Sequence, residues 1–528
     1  MINWLKTLFN KKETNEIAVW RTKDSIFKFI QDNIGEDGSL TAFAQTLPDE
    51  KKTDSEVSFA PGLMDSMFGA DESEESKNRA RKLSNLLITI SKNGHQQSQF
   101  DFYTEITENE NVIGIIDDFL HQVIQSSMAT EPYLYNFAYH LATETNNRNS
   151  VKFGLAILGL CQNKTPISKI KILGLHDEFT IFSTIAIANL SDHVIKDLWE
   201  LAKHVDGWGK IQLVDRLAEM DLPEEIVDWL VYEGYKNNIM YEYLALTCAV
   251  NGRLNNKLSK PSIPSKLFKS AGEIIETLFN EGPAAGISAY EDAASTIGHY
   301  IKHAKKQVLD IGAFLILNRI KEYLEDTKNH DWEMDDLSND LIDINQILQS
   351  KDWTADTFNA LKSSDSVQYW NGKQAAQKLN IDLWDTFWNR LSTHPLDSST
   401  RFDITRNVQP ENVKKVVEQA IRLIPLTEIS TGPQNSMGIG SLYQKHQALE
   451  YVIPMFGDPP TLGQELLLAG LKSPVIRTRN MTLQALEKWT SDLWTKEIDE
   501  ALIHLKKVEP NVDTKKNLIQ LLNGEELS

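Results

Sequence analysis

The sequence predicts an all-α fold, and three patterns carry that prediction. From Arg79 onward apolar residues recur at helical spacing, and Leu83, Leu87 and Ile90 share one face. Alternation with a period of two is scarce and hairpin dipeptides are nearly absent, so strands are not expected. Proline, glycine and paired asparagine residues interrupt the pattern at short intervals. Helices of about ten to twenty residues, joined by brief turns, are therefore expected.

Composition places the chain among ordinary globular proteins and excludes several classes. Its 528 residues are 41% hydrophobic and 24% charged, which provides enough apolar surface to bury a core. The 54 basic residues against 74 acidic ones give a net charge of -20, which disfavours binding to a nucleic-acid duplex. Two cysteines, Cys161 and Cys248, are too few for a disulfide framework or a four-cysteine zinc site.

The N-terminal sequence predicts neither a secretory signal nor a membrane anchor. It lacks an apolar central region followed by a small-residue cleavage site, and the chain has no run of about 20 apolar residues. We therefore expect a cytoplasmic protein that is not integral to a membrane. Trp4, Leu8 and Phe9 recur at helical spacing beside lysines. They predict either a helix that contacts a membrane or a partner, or, as the favoured interpretation, a helix folded onto its own domain.

Changes in composition divide the chain into five predicted segments. Residues 48–82 are polar, acidic and serine-rich, apart from an apolar stretch at 59–68. That stretch is either a docking motif or, as we favour, a segment packed on a neighbouring helix. The predicted segments are an N-terminal helical segment (1–47), an acidic flexible linker (48–82), a helical repeat region (83–255), a helical middle region (264–395) and a C-terminal repeat region (396–528).

An internal repeat with an offset of 30 residues lies within the first repeat region. Trp199 aligns with Trp229, and Val214 aligns with Leu244. Each copy reads as a helix, a turn and a second helix. The two tryptophans are therefore predicted to occupy equivalent core positions in successive layers.

A second repeat, with an offset of 36 residues, lies near the C-terminus. Pro474 aligns with Pro510, Arg479 with Lys515, and the stripe that ends at Leu486 with the one that ends at Leu522. A proline at the start of a helix loses no hydrogen bond. The basic residue beside the turn is expected to reach loop carbonyls or an acidic residue of the next layer.

These features resemble the second helix of HEAT-type repeats, in which a proline-containing turn leads into a helix with an early arginine and an alanine–leucine stripe. Arg479 matches that arginine, and Ala485 and Leu486 match the end of the stripe. The resemblance covers residues 463–523. It implies helical hairpins that stack into an α-α superhelix, or solenoid, since no single hairpin buries its apolar face alone.

A glycine-rich loop before a helix is the first candidate binding site. Glycines permit positive φ and close backbone approach, and amides at a helix start can hold an anion. The loop matches neither a Walker loop nor a dinucleotide fingerprint. A binding edge and a merely flexible loop stay equally open. The candidate residues are Gly432, Gly438, Gly440, Ser441, Lys445 and His446.

Two further clusters carry weaker hypotheses. Arg401 and Arg406 are candidates to receive a carboxylate or phosphate, although neutralisation by nearby aspartates is favoured. His299 and His303 share a helix face with Asp292, a spacing that suits a metal ion. Nearby lysines and the absent metalloprotease glutamate favour an exposed, solvated face instead. We predict no metal and no cofactor.

The favoured function is a non-enzymatic scaffold or adaptor that binds another protein, one with a basic or mixed-charge surface. The first alternative is a hydrolase or oxygenase in an inter-helix groove. It requires His299, His303, the glycine-rich loop or the arginine cluster to converge in space. The second is a HEAT-like nucleic-acid-binding module, which requires a basic face.

Overall fold

The structure is a computed structural model that describes residues 24–50, 74–108, 113–125, 132–282, 284–326, 334–406, 408–456, 463–489 and 491–527. Within those ranges the chain forms 28 α-helices and no strand, which confirms the all-α prediction. No helix in the described part is long and apolar enough to cross a membrane. Trp4, Leu8, Phe9 and the stretch at 59–68 lie outside the described residues.

The chain divides into two compact units after Ala375. The helices that begin in the first unit are α1 (Ile26–Asp32), α2 (Glu74–Asn93), α3 (Gln96–Thr107), α4 (Ile113–Gln125), α5 (Pro132–Thr143), α6 (Arg148–Leu158), α7 (Ile167–Leu173), α8 (Asp177–Leu190), α9 (Val194–Ala202), α10 (Gly207–Ala218), α11 (Glu224–Trp229), α12 (Glu242–Asn251), α13 (Leu254–Leu258), α14 (Ser265–Leu278), α15 (Ala293–Ala304), α16 (Ile311–Glu325), α17 (Met334–Gln349), α18 (Thr354–Leu361) and α19 (Ser366–Lys378).

Alternate helices of the first unit pack against one another in sequence. Each of α6, α8, α10, α12, α14 and α16 contacts the next of that set, and α13, α15 and α17 do the same on the other side. Neighbouring helices, such as α7 with α8 and α14 with α15, also pack together. Helix α8 is an example of how this packing matches the sequence. It is apolar on nearly every face, with Phe179, Phe182 and Ile187 buried, because it lies between α6 and α10.

The core of the first unit continues through the predicted break at 255–264. Leu254 and Leu258 are buried on α13, and Ile263 is buried just after it. These side chains belong to one hydrophobic cluster that extends from Ile26 to Ile347. The polar residues of this segment thus cover a short helix within a continuous core, and the division between units lies at Ala375 instead.

The acidic linker predicted for 48–82 is shorter than expected at both ends. Helix α2 begins at Glu74, where carboxylates in the first turn favour the positive end of the helix dipole. Asp49 and Glu50 both form ion pairs with Arg148 at the start of α6. Acidic residues that the sequence predicts to be solvated therefore form specific contacts in the structure.

The 30-residue repeat forms the two helix–turn–helix units that were predicted. The first is α9 and α10; the second is α11, with a π-helical turn at Leu230–Gly234, followed by α12. The prediction that Trp199 and Trp229 are core residues was wrong, because both are only half-buried. Lys203 and Lys210 lie over their respective rings, so the indoles bridge the core and the surface.

The second unit begins at Ala376 and contains two sets of alternating helices. Here α23, α25 and α27 pack in sequence, as do α24, α26 and α28. A hydrophobic cluster with Leu449, Leu466, Leu483 and Leu502 lies between the two sets. The helices of this unit are α20 (Trp384–Thr393), α21 (Ser398–Arg406), α22 (Pro410–Leu423), α23 (Leu426–Ile429), α24 (Gln444–Glu450), α25 (Gln464–Leu471), α26 (Ile476–Glu487), α27 (Lys496–Val508) and α28 (Val512–Asn523).

Candidate functional site

The glycine-rich segment joins α23 to α24 in the second unit. We call residues 430–440 the glycine loop; a short 3-10 turn, Ser441–Tyr443, follows it and leads into α24. Gly432, Gly438 and Gly440 all have positive φ, of 99°, 71° and 95°. Gly438 also has a steric requirement, since a Cβ there would lie 2.5 Å from Cγ1 of Val475.

Backbone hydrogen bonds hold the glycine loop against the turn between α25 and α26. The amide of Gly432 donates to the carbonyl of Lys472 over 2.9 Å, and the amide of Ile476 donates to the carbonyl of Ser436 over 2.9 Å. Ser436 and Val475 form an isolated parallel bridge. The loop is therefore fixed to its neighbouring layer at two points along its length.

Arg479 on α26 is a third anchor and is fully buried. Its Nε and Nη2 each donate to Glu509 over 2.7 Å, which makes a two-pronged ion pair. Its Nη1 donates to the Ser473 carbonyl over 2.8 Å, and Nη2 also donates to the Gln434 carbonyl of the glycine loop over 2.9 Å. The sequence predicted that the basic residue reaches loop carbonyls or an acidic residue, and Arg479 contacts both kinds of group.

Glu509 is the carboxylate partner of Arg479, which the sequence pattern did not identify by position. It is fully buried, and it lies immediately before Pro510, at the turn between α27 and α28. A signal was present: Glu509 is the acidic residue beside the proline turn of the following repeat copy. Its Oε1 also accepts from the Asn511 amide over 3.0 Å, so the carboxylate orders its own turn as well.

Lys445 and His446 are engaged inside the protein. Nδ1 of His446 lies 3.0 Å from Oγ of Ser473, and the ring is buried. Burial, with a smaller contribution from Lys445, lowers the pKa of His446 to about 4, so its imidazole is neutral at pH 7. Lys445 forms an ion pair with Glu428 at 3.1 Å. Both side chains therefore support the fold around the loop rather than offering charge to an anion.

The outer side of the glycine loop presents apolar groups to solvent. Met437 and Ile439 are 50% and 54% exposed, and Leu442 in the following 3-10 turn is 85% exposed. We call Met437, Ile439 and Leu442 the apolar tip. Three large apolar side chains within six residues, on a backbone that is hydrogen-bonded to the next layer, form a surface suited to apolar contact.

Arg401 differs from the expectation that a neighbouring aspartate neutralises it by a direct ion pair. Asp397 bonds to Arg390 over 2.7 Å instead of to Arg401. Arg401 is fully buried and donates from Nη2 to the Pro395 carbonyl over 2.8 Å; its Nε and Nη1 have no hydrogen-bond partner in the described ranges. Burial lowers its pKa to about 10. The guanidinium of Arg406 lies over the Phe402 ring, 5.7 Å from its centroid.

The histidine pair on α15 bonds to α13, and the expected exposed face was wrong for His303. His303 is buried, with Nε2 2.8 Å from the Leu258 carbonyl, and Nδ1 of His299 lies 3.1 Å from Oδ1 of Asn255. Asp292 precedes the first residue of α15. No group of three or more histidine, cysteine, aspartate or glutamate residues is arranged for a metal ion among the described residues.

The enzyme hypothesis needed residues from both units to converge. His299 and His303 belong to the first unit, and the glycine loop and Arg401 belong to the second. Each imidazole is already hydrogen-bonded within its own unit. Comparison of the chain with protein-family models finds no match, and comparison with curated protein sequences finds none either.

Proposed function

We propose that the protein is a protein-protein interaction scaffold built from HEAT-like helical hairpins that stack as a solenoid. The apolar tip of the glycine loop is its docking edge in the second unit. The observation that carries this proposal is the exposure of Met437, Ile439 and Leu442 on a loop that is hydrogen-bonded to the next layer. Large exposed apolar groups on a fixed backbone are typical of protein contact surfaces.

The packing of alternate helices supports the solenoid part of the proposal. In each unit, a helix contacts the helix two positions later, and consecutive helices pack as hairpins. Such units bury their apolar faces only against neighbours, which leaves their edges and loops available to partners. The buried Arg479, placed at the start of the second helix of its hairpin, supports the HEAT-like interpretation of residues 463–523.

The rigidity of the loop has an energetic consequence for binding. A segment that is already ordered does not lose backbone entropy when a partner docks. Because the apolar tip is held by contacts at Gly432, Ser436 and Gln434, it is pre-organised. We expect the partner to supply an apolar recess, within a surface that is basic or mixed in charge because the chain carries a net charge of -20.

The test compares two sets of surface substitutions in the full-length protein. Affinity capture from native lysate at physiological salt uses wild type, M437S/I439S/L442S, and the control I503S/V508S/V512S. The control removes three other exposed apolar side chains of the same unit, from α27 and α28. Quantitative mass spectrometry then measures which retained proteins change between the variants.

The proposal expects a stoichiometric partner with wild type and with the control, and loss of that partner with the apolar-tip variant. A partner retained equally by all three proteins would contradict the docking edge. Failure to retain any stoichiometric partner with wild type would contradict the scaffold function itself. Circular dichroism of both variants confirms that the substitutions leave the helices intact.

A further inference from the structure

A cavity of about 440 Å³ lies in the first unit, with walls from α14, α15, α16 and α19. Phe268 and Tyr300 line it with parallel rings whose centroids are 4.5 Å apart, and Tyr241 also lines it. This volume falls in the range of small-ligand sites, and aromatic side chains are part of its lining.

The charged groups on the cavity wall are mostly acidic. Glu273 and Glu276 lie one turn apart on α14, and Asp310 caps the N-terminus of α16, whereas Lys269 is the one basic side chain among the described residues that line the cavity. None of the three carboxylates forms an ion pair with a described residue. Tyr235 donates to Oε2 of Glu273, and Ala313 donates its amide to Oδ1 of Asp310 over 2.9 Å. The second oxygen of each of these two groups has no such partner in the described chain.

The hydroxyl of Tyr300 is an independent observation that points to a ligand. Tyr300 is fully buried, and its hydroxyl has no hydrogen-bond partner among the described residues. A buried hydroxyl without a hydrogen-bond partner is destabilising, so such groups are rare unless something else satisfies them. Gly272 makes room for this hydroxyl, since a Cβ there would lie 2.5 Å from it. Tyr300 and the three carboxylate residues line the same cavity.

The arrangement suits an extended organic cation better than a metal ion. A metal needs ligands that converge on one point, and no three acidic or histidine side chains do so in the described ranges. Here the carboxylates are spread along α14 and at the start of α16, and aromatic side chains line the same cavity. Ammonium and guanidinium groups combine both preferences, because they bond carboxylates and stack on aromatic faces.

We propose that this cavity binds an organic cation through an ammonium or guanidinium group, with Glu273, Glu276 and Asp310 as acceptors and the Tyr300 hydroxyl as a further polar contact. The site is independent of the glycine loop, and neither proposal depends on the other. A free polyamine and a basic side chain of a peptide both present this chemistry. The two sources are separated by the choice of probe.

Isothermal titration calorimetry on the full-length protein in 0.15 M NaCl tests the site. Spermidine is the probe for a free polyamine, and N-acetyl-arginine amide is the probe for a basic side chain. The test variant is E273Q/E276Q, which keeps the shape of the cavity. The control is E225Q/E291Q, which removes the same charge from exposed positions that do not line it.

We expect at least one probe to bind wild type and the control equally, and to bind E273Q/E276Q at least tenfold more weakly. Y300F is expected to weaken binding about fivefold, the size of one hydrogen bond, without lowering the thermal midpoint. Binding of spermidine alone identifies a polyamine site, and binding of the arginine probe alone identifies a side-chain site. Absence of binding by both probes, or equal affinity for the two double variants, would overturn the proposal.

Discussion

The two units differ in the contact that joins alternate helices. In the first unit, a carboxylate at the start of one helix accepts hydrogen bonds from the start of the second helix after it. In the second unit, a buried guanidinium forms an ion pair with a carboxylate just before the second helix after it. Asp177, at the start of α8, accepts amide hydrogens from Trp208 and Gly209 at the start of α10. Arg479, at the start of α26, pairs with Glu509, just before α28. Both contacts connect residues about 30 positions apart, and each joins a helix to the start of the second helix after it or to the turn before that helix.

The two contacts differ in how the charge of the side chain is compensated. The Asp177 carboxylate is compensated only by backbone amides and the helix dipole, and Asp206 lies nearby. Burial, supported by Asp206, raises the pKa of Asp177 to about 7. Arg479 and Glu509 instead neutralise each other, and both are fully buried. The stability contributed by the Asp177 contact should therefore depend on pH. The stability contributed by the Arg479–Glu509 pair should be lost when either partner is replaced.

The largest expected effect comes from breaking the buried ion pair. R479M leaves the Glu509 carboxylate buried without its cation, which costs about 3–5 kcal/mol of unfolding free energy. Urea titration followed by hydrogen exchange in α26 and α28 measures it. The double variant R479M/E509L should recover part of the loss, because no charge then remains buried. Equal stability of R479M and wild type would show that the pair does not tie the layers.

The second prediction concerns Asp177 and the sign of its pH dependence. Its folded pKa of about 7 exceeds the unfolded value of about 3.9, so the folded chain holds a proton that unfolding releases. Stability therefore falls as pH rises from about 4 to 7, by at most about 4 kcal/mol. D177N removes this contribution. The difference in unfolding free energy between wild type and D177N, measured from pH 4 to 8, should show that slope and level off above pH 7.

The neighbouring His176 has the opposite sign. Burial lowers its pKa to about 4, so unfolding takes up a proton between about pH 4 and 6.5. Stability from this residue therefore rises with pH across that window and is level above it. In wild type the slopes of His176 and Asp177 oppose each other. H176Q should expose the falling slope of Asp177, and unchanged pH profiles in both single variants would contradict these two pKa shifts.

The smallest expected effect concerns two glycines of the glycine loop. It separates the cost of backbone strain from the cost of steric crowding. Gly438 and Gly440 both have positive φ, but a Cβ at Gly440 meets open space, whereas one at Gly438 meets Val475. G440A should cost about 1 kcal/mol from backbone strain alone. G438A should cost about 1–3 kcal/mol more from the added clash. Thermal unfolding compares the two, and equal losses would mean that Val475 does not constrain the loop.

Periodicity and punctuation were sufficient to predict the helices, because those signals lie within a few residues of one another. The role of Arg479 also followed from local sequence, since its proline turn and stripe are contiguous. The close approach of Gly438 to Val475, the exposed apolar tip and the cavity lined by Tyr300 could not be predicted in this way. Each depends on which of many helices lies opposite, and that is decided by packing between residues tens of positions apart.

Arg401 is a second example of a residue whose contacts could not be predicted from the sequence. Its sequence neighbours include Asp397 and Asp403, so neutralisation by an adjacent carboxylate was a reasonable expectation. In the structure Asp397 bonds to Arg390 across the turn between α20 and α21, and Arg401 turns into the interior towards the Pro395 carbonyl. Local charge counting cannot distinguish two arginines that compete for one carboxylate.

The central claim is that backbone hydrogen bonds and the contact from Arg479 hold the glycine loop in one conformation. Amide hydrogen exchange on the full-length protein tests it, in wild type and in R479M. We predict that the Gly432 and Ile476 amides, which bond to Lys472 and Ser436, are protected in wild type and lose most of that protection in R479M. Exchange of both amides at the unstructured rate in wild type would contradict the claim.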